Sequence, residues 1–182
     1  TYDGPLHSHD AARWVFTNLD GGVTVVGVCA DREVRSEYFF EPREGLVIVR
    51  LGADGSTMWA RIIVPPSDSV SRSIQLAVRD HADGLYVLAN ERCTSCEFYE
   101  QTGVVLRISS TGDLLQEIRF PDAATTSTVS ASMVLTTDNK LLATDTRMDS
   151  TWHWGYRTTS CLYTFAEDGT LLNTLEQSVG AN

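Results

Sequence analysis

Apolar residues in this chain come in short runs rich in Val, Leu and Ile, and nearly every run is cut by a tight-turn pair such as Asp-Gly or Asp-Asn. One class of paired runs reads "RWVFTNLDGGVTVVGV", "SIQLAVRDHADGLYVLAN" and "SASMVLTTDNKLLATD". A second reads "VRLGADGSTMW", "LRISSTGDLLQ" and "YTFAEDGTLLN", and its turn glycines, Gly55, Gly112 and Gly169, lie 57 residues apart. Runs this short, rich in β-branched residues and separated by turn pairs, predict strands joined as hairpins. No segment sustains apolar residues at i, i+3, i+4 and i+7 between helix caps, so an all-β fold is expected.

The two hairpin classes alternate, which gives three repeats of four strands, A to D. The expected strands are 12–18, 22–30, 45–52 and 56–64 in the first repeat, 72–79, 84–90, 103–109 and 113–120 in the second, and 129–137, 140–146, 159–166 and 170–177 in the third. A single four-stranded antiparallel unit cannot bury both of its faces and must stack on neighbours, and that is the logic of a β-propeller blade. The chain resembles the exported bacterial β-propeller repeats whose units read D-G-G-Y-x-x-x-G, a variable insert, and a strand ending K-x-D-x-x-G-x-x-x-W. "DGGVTVVG" (Asp20 to Gly27) and "RLGADGSTMW" (Arg50 to Trp59) match best. The later repeats keep "DGLYVLAN", "RISSTG", "DNKLLATD" and "TFAEDG", with Gln116 and Asn173 where the first has Trp59. The resemblance implies one propeller-like domain over 1–182, with blades at about 12–64, 72–120 and 129–177, and carries no catalytic residue with it.

Three blades are too few for a ring, since propellers close with about four to eight. Either two copies form a six-bladed ring, or the chain is a piece of a longer propeller, or an open arc is completed by a partner. Uncovered blade faces would expose apolar area, so association is expected.

Composition narrows the function classes. A formal charge of -10 without a basic cluster argues against nucleic acid, and no apolar run approaches the roughly 18 residues of a membrane helix. The amino terminus "TYDGPLHSHD" is neither a signal peptide nor a methionine start, so the chain reads as processed or excised. Two of the four cysteines form "CTSC" (Cys93, Cys96), which suits a local disulfide, with half a zinc site as the weaker reading. Disulfide use places the protein outside the cell or at its surface. Cys29 and Cys161, on strands, are expected as buried thiols.

Up-and-down strand order puts the short A-B and C-D turns at one end and the longer B-C loops and D-A connections at the other, so binding is expected at the long-loop end. The B-C loops carry Tyr38 and Phe39, Phe98 and Tyr99, and Trp152, Trp154 and Tyr156, with Arg147 nearby. Aromatic plates beside Arg suit sugar stacking or a protein interface; they also suit plugs that give each loop a small core. "HSHD" (His7 to Asp10) admits a metal site, but solvated chain near a terminus is the stronger reading, and one Asp before each turn glycine is too few oxygens for a calcium loop. No G-x-S-x-G, H-E-x-x-H or phosphate-binding glycine loop occurs. The expectation is a non-catalytic exported module without cofactor that binds a protein, another copy of itself or a glycan, or serves as a repeated subunit of a cell-surface assembly. The alternative is a hydrolase or lyase domain with its site over the propeller channel.

Overall fold

A computed structural model describes residues 11–35, 40–67, 69–93, 101–120, 126–149 and 157–179, with side chains left aside at 30–35, 40–44, 126–131, 147–149, 157 and 178–179. It is all-β. The first sheet holds β1 (Ala11–Thr17), β2 (Val23–Arg35), β3 (Phe40–Leu51) and β4 (Thr57–Ile63). The second holds β5 (Val70–Arg79), β6 (Leu85–Cys93), β7 (Gln101–Ile108) and β8 (Leu114–Arg119). The third holds β9 (Thr126–Leu135), β10 (Leu141–Asp149), β11 (Arg157–Phe165) and β12 (Leu171–Val179). Each sheet is antiparallel with its strands in chain order, the pattern of three propeller blades. The expected strands are all present, but those bordering the B-C loops run further than the apolar pattern suggested. β2 continues to Arg35 through Arg32–Arg43, Glu33–Pro42 and Val34–Glu41 partners, β6 includes Glu91 to Cys93, and β10 includes Arg147 to Asp149. Backbone ladders do not require apolar side chains, so hydrophobicity marks where a strand is buried rather than where it ends.

Alternation of side chains across each sheet builds two cores. One lies between the first and second sheets, where Val26, Val28, Leu46 and Ile48 meet Ile74, Leu85, Val87 and Leu106. The other lies between the second and third, where Tyr86, Leu88 and Val105 meet Leu141, Tyr163 and Phe165. Phe120 anchors the second core, its ring 4.9 Å from Tyr163 and 5.7 Å from Phe165. Full burial of one such side chain contributes about 1.5–3 kcal/mol, against about 0–1 for an exposed ion pair, so inter-sheet packing dominates stability. β6 shows the consequence: Leu85, Val87 and Ala89 serve one core, Tyr86 and Leu88 the other, and the strand is buried from Leu85 to Glu91.

The six short turns share one five-residue geometry. The first N–H donates to the fifth carbonyl at 2.8 or 2.9 Å, and the fourth residue has positive φ: Gly21, Asp83 and Asn139 between A and B, Gly55, Gly112 and Gly169 between C and D. Asp and Asn tolerate that region better than other non-glycine residues. At Gly112 and Gly169 a second constraint applies, because a Cβ there would meet a neighbouring sheet. At Gly112 it would lie 2.6 Å from Trp59 Cζ3, and at Gly169 it would strike the Gln116 amide.

The third turn residue is Asp in four of the six turns, and its carboxylate caps the turn. The N–H groups of Gly22, Ser56 and Thr170 donate to Asp20, Asp54 and Asp168 at 2.9, 3.0 and 2.9 Å. These bonds favour the ionised form. Asp20, bonded by Arg50, Asp54, bonded by the Ser56 side chain, and Asp168, bonded by Thr170 N–H, are all held below the usual carboxylate value. Asp138, bonded by Lys140 and Thr136, is pulled down to about 2. The Asp20-Gly21, Asp54-Gly55 and Asp168-Gly169 pairs are thus hairpin turns whose carboxylates face their own backbone.

Two outcomes are expected. In a double-mutant cycle followed by urea unfolding, Gly112→Ala and Trp59→Ala each destabilise but couple by about 1 kcal/mol or more, because removing the indole relieves the Cβ clash; additive losses would refute the contact. Carboxylates with depressed folded values contribute stability that is complete above the unfolded value of about 4 and is lost as pH falls towards about 2. Thermal midpoints taken across that window should fall less steeply for Asp138→Asn than for the parent chain, and an unchanged slope would refute the turn cap.

Candidate ligand-binding face

Contacts between sheets fix which ends of the blades coincide. At the short-turn end Asp83 accepts hydrogen bonds from Leu19 N–H at 3.1 and 3.0 Å and from Arg79 at 3.1 Å, and pairs with Arg50 at 3.5 Å. The same Arg50 Nη2 pairs with Asp20 at 2.8 Å, and Arg79 also donates to Thr17 O. Between the second and third sheets, Arg107 pairs with Glu167 at 2.8 Å and lies 5.8 Å over the Tyr86 ring, while Gln116 Nε2 donates to Asp168 O at 2.7 Å. Burial pushes the Tyr86 phenol above its ordinary value, against the pull of Arg107. Since these turns meet at one end, the β2/β3, β6/β7 and β10/β11 strand ends share the other, as expected for the long loops.

Of the residues expected to bind, Arg147 lies in β10 in register with Thr159 and Thr128, two residue pairs before the ladder ends at Asp149 and Arg157. Tyr38, Phe39, Phe98, Tyr99, Trp152, Trp154 and Tyr156 lie outside the described residues, as do His7, His9 and Cys96. Cys93 closes β6 in register with Val70. Cys29 and Cys161 are buried thiols, the first donating to Gly45 O at 3.7 Å. Both lie within strands that run on past them: β2 continues six residues beyond Cys29, and Cys161 is fifth in β11. Of the strand A apolar residues, Val15 is 65 % exposed and Leu76 packs against the second core.

Beneath the long-loop end lies a charged network that the sequence reading missed. Glu91 continues the row Leu85, Val87, Ala89 that faces the first sheet, and sits opposite Arg72 in register. Its carboxylate bridges Arg72, whose side chain is fully buried, and Arg119. Glu117 completes the set, 3.1 Å from Arg72 and 3.4 Å from Arg119. Two cations and two anions balance, so the network is neutral as a whole and intolerant of losing one member. The signal in sequence was faint: Arg72 opens a run that otherwise alternates cleanly, and Glu91 reads as the first residue of a loop. In the third sheet the buried carboxylate is Asp145, in register with Ser130 and Cys161.

Among the described residues no group of three or more His, Cys, Asp or Glu is placed to hold a metal ion. What the face offers instead is a rim of paired strand ends on which the three loops are carried. Compared with protein-family models and with curated proteins, the chain matches none.

Removing Glu91 strands a buried guanidinium. Glu91→Ala is expected to cost about 3–5 kcal/mol in urea unfolding, whereas Arg72→Met combined with Glu91→Leu recovers most of that loss. An unchanged midpoint for Glu91→Ala would show that the network is solvated.

Proposed function

We propose that the chain is a non-catalytic module of the exported β-propeller type that binds a glycan or protein through its three long loops, outside the cell or at its surface. The observation that carries this reading is the asymmetry of the two ends. One end is closed by six short turns whose polar groups bond mostly within the turns, with a few such as Leu19 N–H and Asp168 O bonded across sheets. The other presents three loops of up to seven residues between strand ends, and those loops hold "SEYF", "TSCEFYE" and "STWHWGY". Aromatic side chains on a stiff strand frame offer large contact area at low entropic cost, the property sugar rings and interface hot spots select. The buried network below ties the second sheet's strand ends together and so frames the loops above it.

A Cys93–Cys96 disulfide belongs to this proposal. Cys29 and Cys161 are buried in the first and third sheets, whereas Cys93 closes β6 three residues before Cys96, a spacing that suits a local bridge. A bridge of this span would tighten the β6–β7 loop and fits an oxidising compartment.

The test is a panel of immobilised oligosaccharides probed with the whole chain and with Trp152→Ala/Trp154→Ala. Binding should fall at least about tenfold, the loss of about 1.4 kcal/mol, while the thermal midpoint stays within about a degree. Binding that survives the double substitution would sink the glycan reading.

A further inference from the structure

The three sheets repeat a single contact, and its two halves are left open at the ends of the stack. From the first sheet, Trp59 of β4 lies over Gly112 of the next turn. From the second, Gln116 of β8 lies over Gly169 and donates to Asp168 O. The third residue of this series is Asn173 of β12, which is exposed on the outer side of the third sheet. In this series the turn glycine without a visitor is Gly55: its φ is +80°, and among the described residues nothing lies within 4 Å of where a Cβ would stand.

The flanking faces fit the same scheme. On the outer side of the first sheet, Val25 and Val49 occupy the register places that Val87 and Leu106 fill in the second sheet, where those two are fully buried. They line an apolar groove of about 270 Å³ together with Gly27 and Val47. On the outer side of the third sheet, Leu142 and Leu162 take the places of Tyr86 and Val105, flanked by Val134 and Leu175, which are 53 % and 59 % exposed.

Charge matches as well. Arg50 and Arg107 project towards acids on the next sheet's turns, Asp83 and Glu167. The corresponding residue of the third sheet is Thr164, and the corresponding turn residues of the first are Gly21 and Ala53. The cation and its acid are missing together, so joining these two faces buries no unpaired charge.

We propose that the outer face of the third sheet docks on the outer face of the first sheet of a second copy, Asn173 over Gly55, and that two copies close a ring of six sheets. Each copy gives one face and receives the other, so the pair has no open end. The inference rests on the module reading only in treating the sheets as blades; loop binding and ring closure use different surfaces.

Light scattering coupled to gel filtration of the 182-residue chain tests it. The expected mass is that of two chains. Val49→Arg and Leu162→Arg, each on one outer face, should each shift the mass to one chain, with the far-ultraviolet β signal retained. As a second measurement, chains carrying Gly55→Cys mixed with chains carrying Asn173→Cys should form a mixed disulfide under oxidation, and neither variant alone should do so. A single-chain mass at all concentrations overturns the proposal. So does a pair that survives both Arg substitutions, or a mass that grows without limit as concentration rises. Loss of glycan binding in Trp152→Ala/Trp154→Ala with the two-chain mass unchanged would separate the two readings.

Discussion

Everything in this fold follows from one constraint: a four-stranded antiparallel sheet made of short apolar runs has two faces to cover and only neighbours of its own kind to cover them. The second sheet meets the constraint in its central strands. Its strands β6 and β7 alternate between two cores, and side chains such as Val87, Leu88, Val105 and Leu106 are completely buried. The first and third sheets meet it on one side each. Strand position within a sheet matters too: β6 is buried from Leu85 to Glu91, while β1 and β12, edge strands of the outer sheets, are mostly exposed. A stack of this kind gains stability by packing neighbours, so its energetics are closer to those of a repeat protein than of a single globular core.

The turns are where backbone and packing requirements meet. Positive φ at the fourth turn residue asks for Gly, Asn or Asp, and the A-B turns use all three. The C-D turns use Gly alone. At Gly112 and Gly169 the reason is visible, because Trp59 and Gln116 of the preceding sheet occupy the space a side chain would need. Trp59 supplies apolar area, whereas Gln116 replaces that area with a hydrogen bond to the turn backbone. The same position thus serves as a spacer between sheets with different chemistry at each junction.

How much of this was legible beforehand depended on whether a residue's role is written in periodicity. Strand number, order and turn positions were, because tight turns need particular residues and buried strands need apolar ones. The 57-residue spacing of Gly55, Gly112 and Gly169 carried over into bulges at Arg50/Leu51, Arg107/Ile108 and Thr164/Phe165, in the same place of each repeat. Strand ends at the loop face were not legible, since β2 keeps its ladder through Arg32, Glu33 and Arg35, residues that look like loop. Nor was the Arg72, Glu91, Glu117 and Arg119 network. Its members come from three strands and have no common spacing, and only folding across β5, β6 and β8 brings them together. The candidate loops were legible as composition alone, which names a kind of contact surface without naming its ligand.

The drift in chemistry along the stack has a directional meaning. Trp59, Gln116 and Asn173 form one series, and Arg50, Arg107 and Thr164 another, each becoming less bulky or less charged from the first sheet to the third. If the junctions were interchangeable, such drift would be free to occur in any order. They are not interchangeable, because Asp83 is buried between the first and second sheets and relies on Arg50, Arg79 and Leu19 N–H for its bonds. A slipped arrangement that put Thr164 in the place of Arg50 would remove a cation from that buried carboxylate, a change that typically costs several kcal/mol when an ion pair is broken in the interior. Apolar packing alone would accept any order of three similar blades, so it is the few polar contacts at the short-turn end that make the order specific.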